Sequence, residues 1–409
     1  MIRDRAEARP APEQPALNAE RRPLLAFARD AATEAALREG LAAVLPPEAE
    51  FRRGGVREAI TTLMHMTSPR VLVVDVAGEA QPLAALEDLA QVLEPDVRVL
   101  VVGDREDMDF YRRVTRGLGA QEYLFKPLLG DVVARLFAPA LDGRVEAEHT
   151  ARGGRVIAVS GARGGAGAST VAASLAWHLG QMERRHTLLL DADLHGGTAA
   201  LLLGSGPTPA LREALQNPGR VDDLFIARAV QPVGARLKLL AGEESLLEPS
   251  SWTQGAAERL IGLLRRHYNF IIIDLPAQPL PLLRDLRDLA QQQVVVLDPS
   301  LPAMRDTLRL LALPPSAARP RRPVLVLNRA DRPGGLTQRQ VAEALHVVPD
   351  VVIPDLPRQI GPAEALGELA VARCEPLRQG IARLATEAAG IRRLGAERRG
   401  LLQRLGLRR

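Results

Sequence analysis

The chain has 409 residues, 46% of them hydrophobic and 25% charged, with a formal net charge of +4. That balance is ordinary for a globular protein and leaves room for two domains. No apolar run approaches the roughly 20 residues needed to span a bilayer. The lone Cys374 rules out an intramolecular disulfide and a cysteine metal site, and 3% aromatic residues are too few for platforms that stack single-stranded bases.

Residues 1–21 are charged and rich in proline and alanine, without the apolar core of a signal peptide, and are expected to form a disordered tail. From 22 to 138 a strand pattern alternates with a helical one five times. Strands are expected at 23–29, 50–53, 70–76, 97–103 and 122–125, an alternation that predicts a small doubly wound parallel sheet. Asp75 ends the third strand, and the fifth runs into Lys126-Pro127. These positions resemble the phosphoacceptor aspartate and the Lys-Pro pair of response-regulator receiver domains. Departures from that pattern are plain. The first strand is followed by Arg29-Asp30 instead of an acidic pair, and the fourth by Gly103-Asp104 with no hydroxyl. Arg29 is placed where Mg²⁺ would sit. The resemblance thus implies a degenerate receiver used for dimerisation or docking, with Asp75 its candidate phosphoacceptor.

Residues 139–154 are polar and glycine-bearing, as a linker would be. A second α/β unit is expected over 155–388. Its first apolar run, 156–160, leads into Gly161-Ala162-Arg163-Gly164-Gly165-Ala166-Gly167-Ala168-Ser169-Thr170, and a helical pattern follows over 171–179. The glycines free the backbone for positive φ and for close approach of phosphate oxygens, and a loop of this shape aims successive N–H groups at an anion. The strand–GxxxxGK[ST]–helix pattern carries lysine where this chain has Ala168. Two further apolar runs end in acids: one in Asp191-Ala192-Asp193, the other in Asp274, in the form of a Walker B segment. In a parallel sheet these three ends share one edge. Ser169 and Asp274 are the expected Mg²⁺ ligands there, with Asp191 and Asp193 able to hold or orient its waters. A last buried run ends in Asn328-Arg329, and helices are expected at 257–267, 304–313 and 337–345.

The loop resembles the deviant Walker A loop of the MinD/ParA ATPases, and Asp191 to Leu201 resembles their switch segment. The segments 191–203, 221–224, 236–241 and 297–306 resemble the TadZ/CpaE branch, which assembles tight-adherence (Tad/Flp) pili in bacteria. The likeness covers most of residues 20–385. It implies a P-loop NTPase domain that binds ATP and Mg²⁺ and forms a homodimer. Arg163 would stand for the signature lysine that reaches the partner's nucleotide, Gly164, Gly165, Ala166, Gly167, Ala168, Ser169 and Thr170 would hold phosphates and metal, and Asp191 or Asp193 would orient the attacking water. Asn328 would meet the base, with Arg329 beside it and Pro354 flanking; the alternative for Asn328 is a cap on its strand end. Arginine at 163 keeps the charge. Alanine at 168 does not, so binding with weak or absent hydrolysis is expected.

The last residues, 389–409, are a basic tail in which Gly390 to Arg409 hold seven arginines against one glutamate. Two readings stand for them: a peripheral contact with the inner membrane face, or leucines packed on the domain. No sequence-specific nucleic-acid contact is expected. The implied function is a cytoplasmic factor, at the cell pole or inner membrane face, that positions pilus or secretion machinery. The alternatives are a positioning ATPase acting on DNA or the septum, and an adaptor with a vestigial nucleotide site.

Overall fold

The computed structural model describes residues 21–141, 153–247, 249, 251–278, 280–313 and 322–389. Its strands form two sheets. The first contains β1 (Leu24–Ala28), β2 (Glu50–Arg53), β3 (Val71–Asp75), β4 (Arg98–Gly103) and β5 (Glu122–Phe125) in the order β2-β1-β3-β4-β5. All its pairings are parallel. This is the flavodoxin-like doubly wound order, and each strand lies within one residue of its expected bounds. Every residue of β1 and β3 is buried, as befits strands covered on both faces. Alternate side chains serve alternate layers. Leu25, Phe27, Leu72 and Val74 pack with the helices Val56–Leu63 and Pro82–Val92, whereas Leu24, Ala26, Val71 and Val73 pack with Ala31–Leu41 and Gly130–Leu136.

The second sheet holds β6 (Arg155–Gly161), β7 (Thr187–Asp191), β8 (Gln231–Pro232), β9 (Leu237–Ala241), β10 (Phe270–Leu275), β11 (Gln292–Leu297), β12 (Val324–Ala330) and β13 (Val351–Pro354). Their order is β13-β12-β11-β6-β10-β7-β9-β8, parallel except for β8 against β9. Ile157, Val159, Leu189 and Ile272 face the helices Ala168–Trp177 and Glu375–Ala389. Val156, Ala158, Leu188, Leu190, Ile271 and Ile273 face Ala256–His267 and Pro281–Asp288.

Some boundaries differ from expectation, each for a local reason. The helix expected at 171–179 starts at Ala168, because Gly167 sits at its N-cap in the left-handed region at φ 90°. The helix expected at 304–313 is Leu301–Leu311: Ser300 caps it by accepting from Ala303 N, and Pro302 lies in its first turn. Arg305 and Asp306 therefore lie inside that helix, bonded to each other at 2.9 Å, and do not open it. Ala138–Leu141 is a short helix. Most of the expected linker, the N-terminal tail before Arg21, and residues 390–409 of the basic tail lie outside the described residues.

The two sheets meet through their amino edges. Arg236, buried just ahead of β9, donates from Nη1 to Val92 O at 3.0 Å and from Nη2 to Met66 O at 2.9 Å and to Leu63 O. Asn269, just ahead of β10, donates to Leu93 O at 2.6 Å. These acceptors lie at the C-terminal ends of two helices of the first unit, where carbonyls lack intrahelical partners and the dipole end is negative. His186 Nε2 lies 2.6 Å from Arg236 Nη1. Burial first, and the guanidinium second, hold His186 well below its ordinary range and so neutral. Burial also pulls Arg236 down to about 10, opposed by Glu94.

Candidate nucleotide site

The loop after β6 has the backbone of an anion cradle. Gly165 and Gly167 stand at φ 80° and 90°, a conformation that costs other residues strain. A Cβ on Gly164 or Gly165 would meet nothing within 4 Å, whereas one on Gly167 would lie 2.4 Å from Asn328 Nδ2. The loop is open on one side and backed on the other. Ala168, Ser169 and Thr170 form the first turn of the helix Ala168–Trp177, so the unpaired N–H groups of a helix start add to the cradle.

Register explains which acids lie beneath. Asp274 pairs with Asp191 on one side and with Val159 on the other, two residues before the loop begins. Asp274 is 4% exposed and hydrogen-bonds the Ser169 side chain. Burial, then the neighbouring Asp191, push it up to about 7, against the Ser169 bond. Burial likewise lifts Asp191 to about 6. Among the described residues no three His, Cys, Asp or Glu side chains form a metal cage. Mg²⁺ needs none here: a hydroxyl and one carboxylate oxygen are hard donors of the kind it takes, with water and phosphate completing its shell. Buried carboxylates lacking a counter-charge fit that cation.

The other expected residues divide. Asp191 accepts from Asp193 N at 3.1 Å and from Ala199 N at 3.0 Å, so each of its oxygens helps shape the switch segment. Asp193 accepts from His195 N at 3.3 Å and Gly196 N at 2.9 Å, closing the turn that follows it. Asn328, expected at the base, donates to Ala166 O at 2.9 Å. Arg329 donates to Gly165 O at 3.0 Å. Arg163 is exposed on the loop, and Pro354 ends β13 opposite Ala330. Thr170 Oγ1 donates to Glu364 at 2.8 Å. Nothing near the loop in the chain points to Glu364, which lies 194 positions away.

The first unit has its own carboxyl-edge cluster. Asp75, wholly buried, accepts from Ala77 N at 2.9 Å, Arg29 N at 3.0 Å and Lys126 Nζ at 2.6 Å. Lys126 also donates to Asp30 at 2.5 Å, and that bond holds the Asp30 carboxyl down to about 2. The Arg29 guanidinium donates to Ala77 O; a Cβ on Gly55 would meet its Nε at 2.6 Å. Lys126, the lysine of the receiver-like Lys-Pro pair, closes the cluster, while the guanidinium of Arg29, expected at the Mg²⁺ position, is bonded to Ala77 O.

Comparison with known proteins bears on the second unit. Residues 153–228 match the family model described as ParA, NUBPL iron-transfer P-loop NTPase. A putative septum site-determining protein MinD of Guillardia theta is 30% identical over 161 residues, 39% of this chain and 58% of that one. The chain spans about half the length of the curated relatives it matches. The crystal structure of a ParA family ATPase from Chlorobium tepidum TLS covers 57% of this chain and 98% of that one at TM-score 0.52 and 22% identity, a likeness of fold. A pilus assembly protein CpaE from Caulobacter crescentus CB15 is 30% identical over 30% of this chain and 98% of that one, at a TM-score of 0.27 that carries no argument. Among the described residues no helix is long and apolar enough to cross a membrane. The second unit is a parallel-sheet P-loop NTPase domain similar in fold to that ParA family ATPase.

Proposed function

We propose that this chain binds Mg·ATP at the loop from Gly161 to Thr170, dimerises, and positions Tad/Flp pilus or secretion machinery, hydrolysing ATP weakly or not at all. The observation that carries the nucleotide reading is a glycine loop in the left-handed conformation, opening a helix above the buried strand-end acids Asp274 and Asp191. The pilus assignment rests on the sequence likeness to TadZ/CpaE over 191–203, 221–224, 236–241 and 297–306. In this reading the domains span 22–138 and 155–388, joined by 139–154.

Backbone N–H groups of Gly164, Gly165 and Gly167 to Thr170 hold the phosphates, and Ser169 and Asp274 would hold Mg²⁺, which when bound neutralises phosphate charge. Arg163, exposed, reaches the partner's nucleotide across a face-to-face dimer. Ala168 places no charge on the phosphates. That absence favours holding ATP over cleaving it. Such a protein acts in the cytoplasm or at the inner membrane face, where the basic tail adds a peripheral contact.

Calorimetric titration of Mg·ATP and Mg·ADP, with Ser169→Ala and Arg163→Ala beside the natural chain, tests this. Micromolar ATP binding that weakens in the Ser169 variant, with ATP-dependent dimers lost in the Arg163 variant, is expected. Absence of binding at millimolar ATP removes the proposal and leaves an adaptor without a nucleotide.

A further inference from the structure

The loop's carbonyls at 165 and 166 are both tied from behind by consecutive side chains at the end of β12. Asn328 Nδ2 donates to Ala166 O at 2.9 Å, and Arg329 Nη1 to Gly165 O at 3.0 Å. A trans peptide unit sends its N–H opposite its carbonyl. Holding Ala166 O outward therefore turns the Gly167 N–H to the other side of the loop. The unit held by Arg329 turns the Ala166 N–H toward Arg163 O, at 3.4 Å, which closes the loop's turn. Gly167 fits the same picture, because any Cβ there would strike the Asn328 amide.

Backbone strain points the same way. Arg329 lies at φ 53° and Asp331 at 62°, a region that side-chain-bearing residues rarely occupy and that marks functional sites when it persists. Arg329 is exposed, and an exposed hydrogen bond to solvent-accessible backbone adds little to folding. The strain is better explained by where it delivers the guanidinium. That place is the rim of a phosphate loop whose helix carries Ala168.

We infer that Asn328 and Arg329 are positioning residues for the phosphate cradle. They pre-shape it from outside, and Arg329 brings a positive charge to a loop that lacks its lysine. The inference rests on the nucleotide reading above and deepens it. Asn328 then acts through the loop and the phosphates, not through the base.

Tripolyphosphate, which has neither base nor ribose, separates the two roles. Titrations of Mg·ATP and Mg·tripolyphosphate into the full chain are compared with those into Asn328→Ala, Arg329→Ala, Arg329→Lys and Arg329→Gly. Loop positioning predicts that the two alanine variants lose affinity for both ligands by the same factor, roughly tenfold. Arg329→Lys recovers most of the loss, because it keeps donor and charge. Arg329→Gly melts no lower than the natural chain, since glycine accepts the left-handed backbone, yet still binds weakly. A purely structural role would move stability and affinity together. Loss of ATP affinity with tripolyphosphate binding intact would overturn the inference and make Asn328 a base contact. A natural chain that binds neither ligand would instead overturn the nucleotide reading, and this inference with it.

Discussion

Asp75 and Asp274 occupy equivalent places, each at the carboxyl end of a central parallel strand and each almost wholly buried, yet their charges are handled differently. Asp75 accepts from two backbone N–H groups and from Lys126, which it shares with Asp30. Asp274 has the Ser169 hydroxyl and a second buried acid beside it, and burial lifts it to about 7. Among the described residues no lysine or arginine bonds to Asp274 or Asp191. A buried carboxylate is tolerated when the chain supplies its counter-charge and the remaining lone pairs are bonded. The first cluster meets that condition by itself, so its interior charge is closed to outside cations. The second leaves its charge to be balanced by a proton or by a bound cation. Two similar sheet edges thus hold a finished site and a receptive one.

The largest effect should come from opening the closed cluster. Lys126→Ala leaves Asp75 buried without its cation and should cost about 3–5 kcal/mol of stability, read by urea denaturation. A loss under 1 kcal/mol would mean the cluster is less closed than its bonds indicate. Filling the receptive site by substitution should act in the opposite direction. A raised carboxyl contributes its full stability below the unfolded value and loses it as pH rises through the folded one. Asp274 therefore weighs against folding above pH 7. Asp274→Asn should stabilise the nucleotide-free protein at pH 8 by roughly 1–4 kcal/mol, a gain that fades by about pH 4. A gain independent of pH would refute the assignment of that charge. The same variant should lose Mg·ATP binding.

Ala168→Lys places a cation directly at the receptive edge. It should tighten Mg·ATP by one to two decades, at about 1.4 kcal/mol per decade; unchanged affinity would place the phosphates elsewhere. The smallest effect should be seen at Asp75. Incubation with acetyl phosphate and Mg²⁺ should leave its mass unaltered, because Lys126 and two N–H groups already fill its oxygens. A phosphoryl adduct there would break the comparison outright.

Much of this arrangement was legible in the chain. Both sheets follow from apolar runs such as 71–75 and 270–274 that are too short for helices and bounded by polar or glycine-rich turns. The glycine pattern of 161–167 announced the cradle, because few other uses require so much conformational freedom in one loop. Strand-end acids after parallel runs had to share an edge. What stayed hidden depends on contacts between distant segments. Lys126 bridges to Asp30 across 96 positions, and Asn328 to Ala166 across 162; no local period records a lysine shared by two acids or an amide tied to a distant loop carbonyl. The helix Leu301–Leu311 began earlier than its apolar spacing suggested because a serine cap and a proline, not hydrophobic periodicity, set its start.

Arg236 carries a consequence for which edges of the molecule stay free. One guanidinium gathers carbonyls from two helices of the first unit while sitting at the foot of β9, on the sheet edge opposite the phosphate loop. Strands of five to seven residues put about 20 Å between those edges. The phosphate loop and the Asp75 cluster therefore lie at opposite edges of two sheets joined through their amino ends. A copy stacked on the phosphate-loop edge would leave the Asp75 edge free for a different contact.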